Sequence, residues 1–214
     1  KNVVIVKGGP GTGKSVVAIQ LTARLTAKQK MVQYVSKNSA PRDVYASKLS
    51  GIRSKSWVNN LFKGSGTYIS AERNQYDALL VDEAHRLNEK SGMFSNLGEN
   101  QIKEIINAAR CSVFFLDEDQ RVTMKDIGSD AEIAMWAAHA GATLHRLELT
   151  SQFRCNGSDG YMAYLDQLLG IRQTANTNLS DLNYDFQICS SPNELYERIK
   201  LKNADRNRAR MVAG

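Results

Sequence analysis

Near the start of the 214-residue chain, the apolar run Val3-Val4-Ile5-Val6 leads into Gly8-Gly9-Pro10-Gly11-Thr12-Gly13-Lys14-Ser15 and then into an amphipathic stretch. The octapeptide fits GxxxxGK(S/T), the Walker A pattern, and its place between a β-branched run and a helical pattern is the context that a phosphate-binding loop needs. Glycines let successive backbone N–H groups turn inward around phosphate oxygens, and the helix that follows offers them the positive end of its dipole. Gly8 to Ser15 therefore predict a site for ATP. Lys14 would contact the β- and γ-phosphates, and the Ser15 hydroxyl would ligate Mg²⁺.

Such a loop belongs to a parallel α/β sheet, and the chain keeps that rhythm. Val3–Val6 is followed by a predicted helix from about Ser15 to Lys28, a strand from Met31 to Val35, and a helix starting near Pro41. Ala78–Val81 and Ser112–Leu116 read as buried strands around a helix from Gln101 to Ala109, and Asp130–Ala140 reads as a helix. Residues 51–76 and 86–98, rich in Gly, Ser, Asn and Lys, read as loops or short irregular insertions near the strand ends. Thr143–Leu149 alternates like a strand and opens a second unit, continuing as a helix (158–169), a strand (184–189), a helix (193–202) and a strand (210–213). The expected division is residues 1–145 and 146–214. The start at Lys1 and the strand-like end Met211-Val212-Ala213-Gly214 predict a piece of a longer polypeptide.

Cys111, Cys155 and Cys189 stand far apart, which argues against a zinc site or a disulfide framework and fits a reducing cytoplasm. No apolar run nears the ~20 residues of a membrane span. The net charge of +6 is unevenly spread: residues 1–63 carry twelve Lys/Arg against Asp43 alone. A basic first third next to acidic remaining sequence points to a polyanionic partner. Lys37, Arg42, Lys48, Arg53, Lys55 and Lys63 interleave with Tyr34, Tyr45, Trp57 and Phe62, the mixture that single-stranded nucleic acid needs. Tyr34 belongs to a buried strand and Phe62 to the core on the same pattern, which leaves Trp57 and the cations as candidate contacts.

The strand Ala78–Val81 ends in Asp82-Glu83-Ala84-His85, and carboxylates at the C-terminal end of a buried parallel strand stand where α/β sheets hold ligands. Asp82 would hold Mg²⁺ through water. Glu83 would orient and deprotonate the attacking water, which favours hydrolysis over small-molecule phosphorylation. His85 either links this site to a neighbouring motif or faces solvent. After the next strand, Asp117-Glu118-Asp119-Gln120 places Gln120 to sense a γ-phosphate or its water.

Walker A, the DEAH tetrapeptide, this DxxQ segment and Gln152-Phe153-Arg154, taken in order, resemble the motif series of superfamily 1 helicases. The stretches Tyr34–Tyr45 and Leu149–Gly157, followed by Gly160–Asp166, resemble a bacterial family of helicase-type ATPases that is distantly similar to the Schlafen helicase-like domain. The resemblance implies a RecA-like P-loop NTPase lobe over 1–145 and a truncated second RecA-like lobe over 146–214. It further implies nucleic-acid contacts from the segment 36–42, including Lys37, Asn38 and Arg42, and an Arg154 that reaches the γ-phosphate. In that pattern an adenine-reading glutamine motif would precede Lys1, and the later second-lobe motifs would follow Gly214. The whole implies an ATP-hydrolysing helicase-like or translocase module acting on DNA or RNA. The other reading left open is an ATP-controlled switch that binds nucleic acid or protein without unwinding.

Overall fold

The computed structural model describes residues 1–92, 94–151, 159–175, 177, 186–204 and 209–211. Two compact units divide at Ser158/Asp159. In the first, β1 (Asn2–Gly8), β2 (Val32–Ser36), β3 (Phe62–Lys63), β4 (Tyr76–Asp82), β5 (Ala109–Leu116) and β6 (Thr143–Leu149) form one sheet in the order β3-β2-β4-β5-β1-β6. Every pairing is parallel. All strands therefore end at the same edge, and β5 lies between the strand carrying the glycine loop and the strand carrying Asp82.

Strand alternation sorts the core into two layers. Val3 and Ile5, Leu79 and Val81, and Phe114 and Leu116 face one side, against α4 (Gln101–Ala108) and α5 (Asp130–His139). Val6, Tyr34, Ala78, Leu80, Val113 and Phe115 face the other, against α1 (Lys14–Ala27), α2 (Ser39–Leu49) and α3 (Lys55–Leu61). Burial on both faces explains why β4 and β5 read as unbroken apolar runs in sequence. The α4 helix begins where the Asn100 side chain accepts from the backbone N–H groups of Ile102 and Lys103, and α5 where Ser129 does so from Glu132.

Three expectations need correction. The stretch expected to be loop holds α3, capped by Ser54 accepting from Trp57 N–H, and the short strand β3. Both form because Val58 and Phe62, with Trp57 and Leu61 packed beside them, complete the second core layer, a tertiary pull that four apolar residues in an otherwise polar segment do not announce. The strand assigned to the second unit, β6, pairs with β1 from Asn2↔Thr143 to Gly8↔Leu149, so the first unit extends to Ser158 rather than ending at residue 145. Its alternation reflects an edge position beside β1. Finally, among the described residues of the second unit there are two helices, α6 (Asp159–Leu168) and α7 (Pro192–Ala204), and residues 186–189 and 210–211 are not in strands. Their apolar character meets no neighbouring strand among the described residues of that unit. Within that unit Tyr164 meets the Phe186 ring edge-on at 5.8 Å, and Arg172 pairs with Asp166. No helix among the described residues is long and apolar enough to cross a membrane.

Candidate active site

The glycine loop leaves β1 and enters α1 through Gly11 and Gly13, whose φ angles of 81° and 90° lie in the left-handed region that a side chain disfavours. Pro10 to Val17 line a cleft of about 860 Å³ together with Asp82, Glu83, His85, Gln120 and the end of β6, Glu148 to Ser151. The structure thus brings together the sequence-assigned Lys14, Ser15, Asp82, Glu83 and Gln120. Arg154, with Gln152 and Phe153, lies outside the described residues.

Lys14 is nearly buried. Its ammonium donates to the carbonyls of Gly8 and Gly9 and stands 3.4 Å from Asp117 Oδ2. Gln120 Nε2 donates to the same Asp117 oxygen at 2.7 Å, so Asp117 joins the loop lysine to the DxxQ glutamine. Sequence reading passed over Asp117, although its place at the end of a buried strand was the available signal. Asp117 N–H also reaches His85 Nδ1 at 3.3 Å. That assigns the imidazole proton to Nε2. Burial, joined by the Lys14 and Arg86 charges and opposed by Asp117 and Asp126, pushes the His85 pKa down and favours the neutral ring. Of the two readings open for His85, the structure favours the link: the ring is 2% exposed and bridges the DEAH turn to the end of β5.

Asp82 is 2% exposed. Its Oδ1 accepts the Glu83 N–H at 3.0 Å and its Oδ2 accepts the Tyr34 O–H at 2.5 Å. Ser36 lies opposite Asp82 in the β2–β4 register, and its buried hydroxyl has no protein partner among the described residues. A carboxylate and an orphaned hydroxyl at one strand end fit a hydrated divalent cation, since Mg²⁺ keeps several waters and takes one or two protein groups beside nucleotide phosphates. Ser15 and Asp82 would hold it there.

Glu83 adopts φ 51°, ψ 47°, an uncommon left-handed conformation for a residue with a Cβ. That conformation breaks β4 sharply and lets the side chain line the cleft. Its Oε2 accepts from Asn38 Nδ2. Asn38 caps α2 in position without a side-chain capping bond, so its amide is available to Glu83.

Of the other sequence-assigned nucleic-acid residues, Lys37 and Arg42 lie beside Asn38 and Trp57 lies on α3. Lys37 donates to Asn88 Oδ1 at 2.8 Å and pairs with Asp126 Oδ1 at 3.2 Å. Asp126, 5% exposed, also meets Arg86 at 3.1 Å and accepts the N–H groups of Val122 and Thr123. Burial would raise the pKa of its carboxyl, but those two N–H groups and the Lys37 ammonium outweigh it and hold the group far below the usual range. Arg42 donates to the Asn38 carbonyl and lies beside Gly64. Trp57 is half-buried against the second core layer, with the Arg53 guanidinium 5.3 Å from its ring centre.

Over residues 1–214 the chain matches the family described as Schlafen group 3, DNA/RNA helicase domain. It belongs to that family. A Saccharomyces cerevisiae relative, the uncharacterized protein YPL245W, is 24% identical over 255 residues, which cover 98% of this chain and 53% of that protein. The chain thus spans about half the length of this curated relative. Among solved structures, a DNA replication initiation factor is 17% identical with a TM-score of 0.37, covering 95% of this chain and 55% of that one. AMPPCP-bound DnaA from Aquifex aeolicus is 17% identical with a TM-score of 0.35, covering 95% and 56%. At those scores neither structure contributes to the functional reading. The Schlafen helicase-domain chain carries its glycine loop and its acidic strand end in one cleft.

Proposed function

We propose that the chain is the ATP-hydrolysing part of a helicase-like or translocase motor that acts on DNA or RNA. The observation that carries this reading is the shared cleft: Lys14, Ser15, Asp82, Glu83 and Gln120 come from three separate strand ends and line one space. Phosphoryl transfer to water needs positioning and charge compensation more than covalent help, and each part has a group for it. Backbone N–H groups of Gly9 to Ser15 cradle the phosphates, and Lys14 exchanges its carbonyl partners for phosphate oxygens. Bound Mg²⁺ supplies charge neutralisation at the phosphates. Glu83 accepts the proton of the attacking water, and Gln120, held by Asp117, stands ready to sense the γ-phosphate. Arg154 would add a guanidinium to the same group.

The alternative, an ATP-controlled binding switch, draws support from Asn38. An amide hydrogen-bonded to the Glu83 carboxylate competes with water for it, so hydrolysis waits on whatever moves the start of α2. The deciding experiment measures ATP hydrolysis and strand displacement by the full-length parent protein, with and without single-stranded DNA and RNA. Stimulated turnover with displacement supports the motor. Nucleotide-dependent binding without displacement supports the switch, and phosphate transfer to an organic acceptor would reject both.

A further inference from the structure

Tyr34 stands beneath the acidic end of β4 and is fully buried. Strand alternation puts it on the same face as Leu80 and Asp82, and the parallel register places it opposite Leu80, one pleat below Asp82. Its O–H donates to Asp82 Oδ2 at 2.5 Å, while the Glu83 N–H takes Oδ1 at 3.0 Å. The carboxylate is thereby held at both oxygens, and each keeps a lone pair for a further donor. The ring itself is held: Tyr45 from α2 meets it edge-on at 5.8 Å, and Phe62 from β3 at 5.6 Å. A tyrosine that served only as core filling would gain nothing from its oxygen, because phenylalanine occupies the same space without desolvating a hydroxyl and a carboxylate.

We propose that Tyr34 is a positioning residue that fixes the Asp82 carboxylate for a hydrated divalent cation. The proposal rests on the reading of Asp82 given above. Tyr34 touches neither cation nor nucleotide; it acts through Asp82. Donors behind metal-associated carboxylates commonly change metal affinity by about 10- to 100-fold when removed, because the ligand loses its orientation.

The test uses the full-length parent protein saturated with a non-hydrolysable ATP analogue, with Mn²⁺ as the probe and free Mn²⁺ read by electron paramagnetic resonance. Tyr34→Phe is expected to weaken Mn²⁺ binding about tenfold, while nucleotide affinity measured in EDTA stays parental. Asp82→Asn is expected to weaken Mn²⁺ binding at least as much. Parental Mn²⁺ affinity in Tyr34→Phe with loss in Asp82→Asn overturns the proposal and leaves the site reading standing. Parental affinity in Asp82→Asn overturns both. A second measurement keeps the native fold: with 3-fluorotyrosine at position 34, the fluorine resonance is expected to shift when Mg²⁺ joins the nucleotide-bound protein. An unmoved resonance overturns the proposal even if Tyr34→Phe does not fold.

Discussion

Lys14 and Glu83 share a cleft, and the proposed mechanism gives them different stages, so their variants should separate. Lys14→Ala removes the ammonium proposed to meet the phosphates and is expected to abolish nucleotide binding. Glu83→Gln keeps shape and loses only the proposed proton acceptor, so it is expected to bind ATP as the parent does and to stall after binding. Equilibrium binding of a fluorescent ATP analogue beside single-turnover hydrolysis checks both, and parental hydrolysis by Glu83→Gln would remove that residue from the site. Lys37 and Arg42 looked equivalent in sequence but differ in surroundings. Lys37 is the partner of buried Asp126, whereas Arg42 bonds only its own helix start among its described contacts. Lys37→Ala is accordingly expected to cost about 1–3 kcal/mol of stability by leaving Asp126 short of a partner. Arg42→Ala should leave urea unfolding near parental, and equal losses would refute the distinction. His85 gives a pH dependence with a defined sign. Its folded pKa lies below the ordinary 6.5, so the unfolded chain binds the extra proton first. Its contribution is complete above about pH 6.5 and is lost as pH falls toward the folded value. Thermal midpoints should therefore drop less between pH 7 and 5.5 in His85→Asn than in the parent.

At the scale of elements, the loop between β5 and α5 is locked to the DEAH turn by backbone. Ile127 N–H donates to the Leu87 carbonyl at 2.8 Å, and Asn88 bridges to Asp126. Gly128 passes so close that a Cβ built there would lie 1.9 Å from the Ala84 carbonyl oxygen and 2.7 Å from His85 Cα. Gly128→Ala must push the turn that carries Glu83 and His85, and it is expected to cost about 1–3 kcal/mol. It should slow hydrolysis more than it weakens nucleotide binding, as measured by the same paired assays. Nothing in the sequence marks Gly128, because a close backbone approach exists only once two distant loops meet. The glycine loop, the buried strands and the DEAH pair were legible for the opposite reason: each depends on local chemistry, such as a left-handed turn, a doubly buried strand or an acid at its end. Tyr34 shows the limit well. Its burial could be read from the strand, but its hydrogen bond to Asp82 depends on the register of β2 against β4, which sequence does not state. The same applies to Asn38, assigned to nucleic acid by resemblance and found holding Glu83. Trp57 likewise joins the core layer because α3 forms where a loop was expected.

For the whole molecule, the chain spans about half the length of the yeast relative, and the proposed coupling between nucleotide and nucleic acid is to be tested on the full-length protein. The uneven charge makes one demand on it. If the first 63 residues, with twelve cations against one acid, form the polyanion face, single-strand affinity should fall steeply with salt through counterion release. Arg154 makes the other demand. Leu149, Thr150 and Ser151 line the cleft at the end of β6, and Arg154 follows three positions later in the sequence. The proposed mechanism assigns the Arg154 guanidinium to the γ-phosphate. A fixed, permanently charged fork suits phosphate oxygens, and it adds most when charge develops on the transferring group. Arg154→Ala in the full-length protein is expected to retain ATP and to hydrolyse it roughly 10³- to 10⁵-fold more slowly, with little rescue by lysine. Pre-steady-state phosphate release under nucleic-acid stimulation measures it. If turnover stays parental while the melting temperature falls, Arg154 pairs with an acid to brace the fold, and the γ-phosphate is served by Lys14 and Gln120 without it.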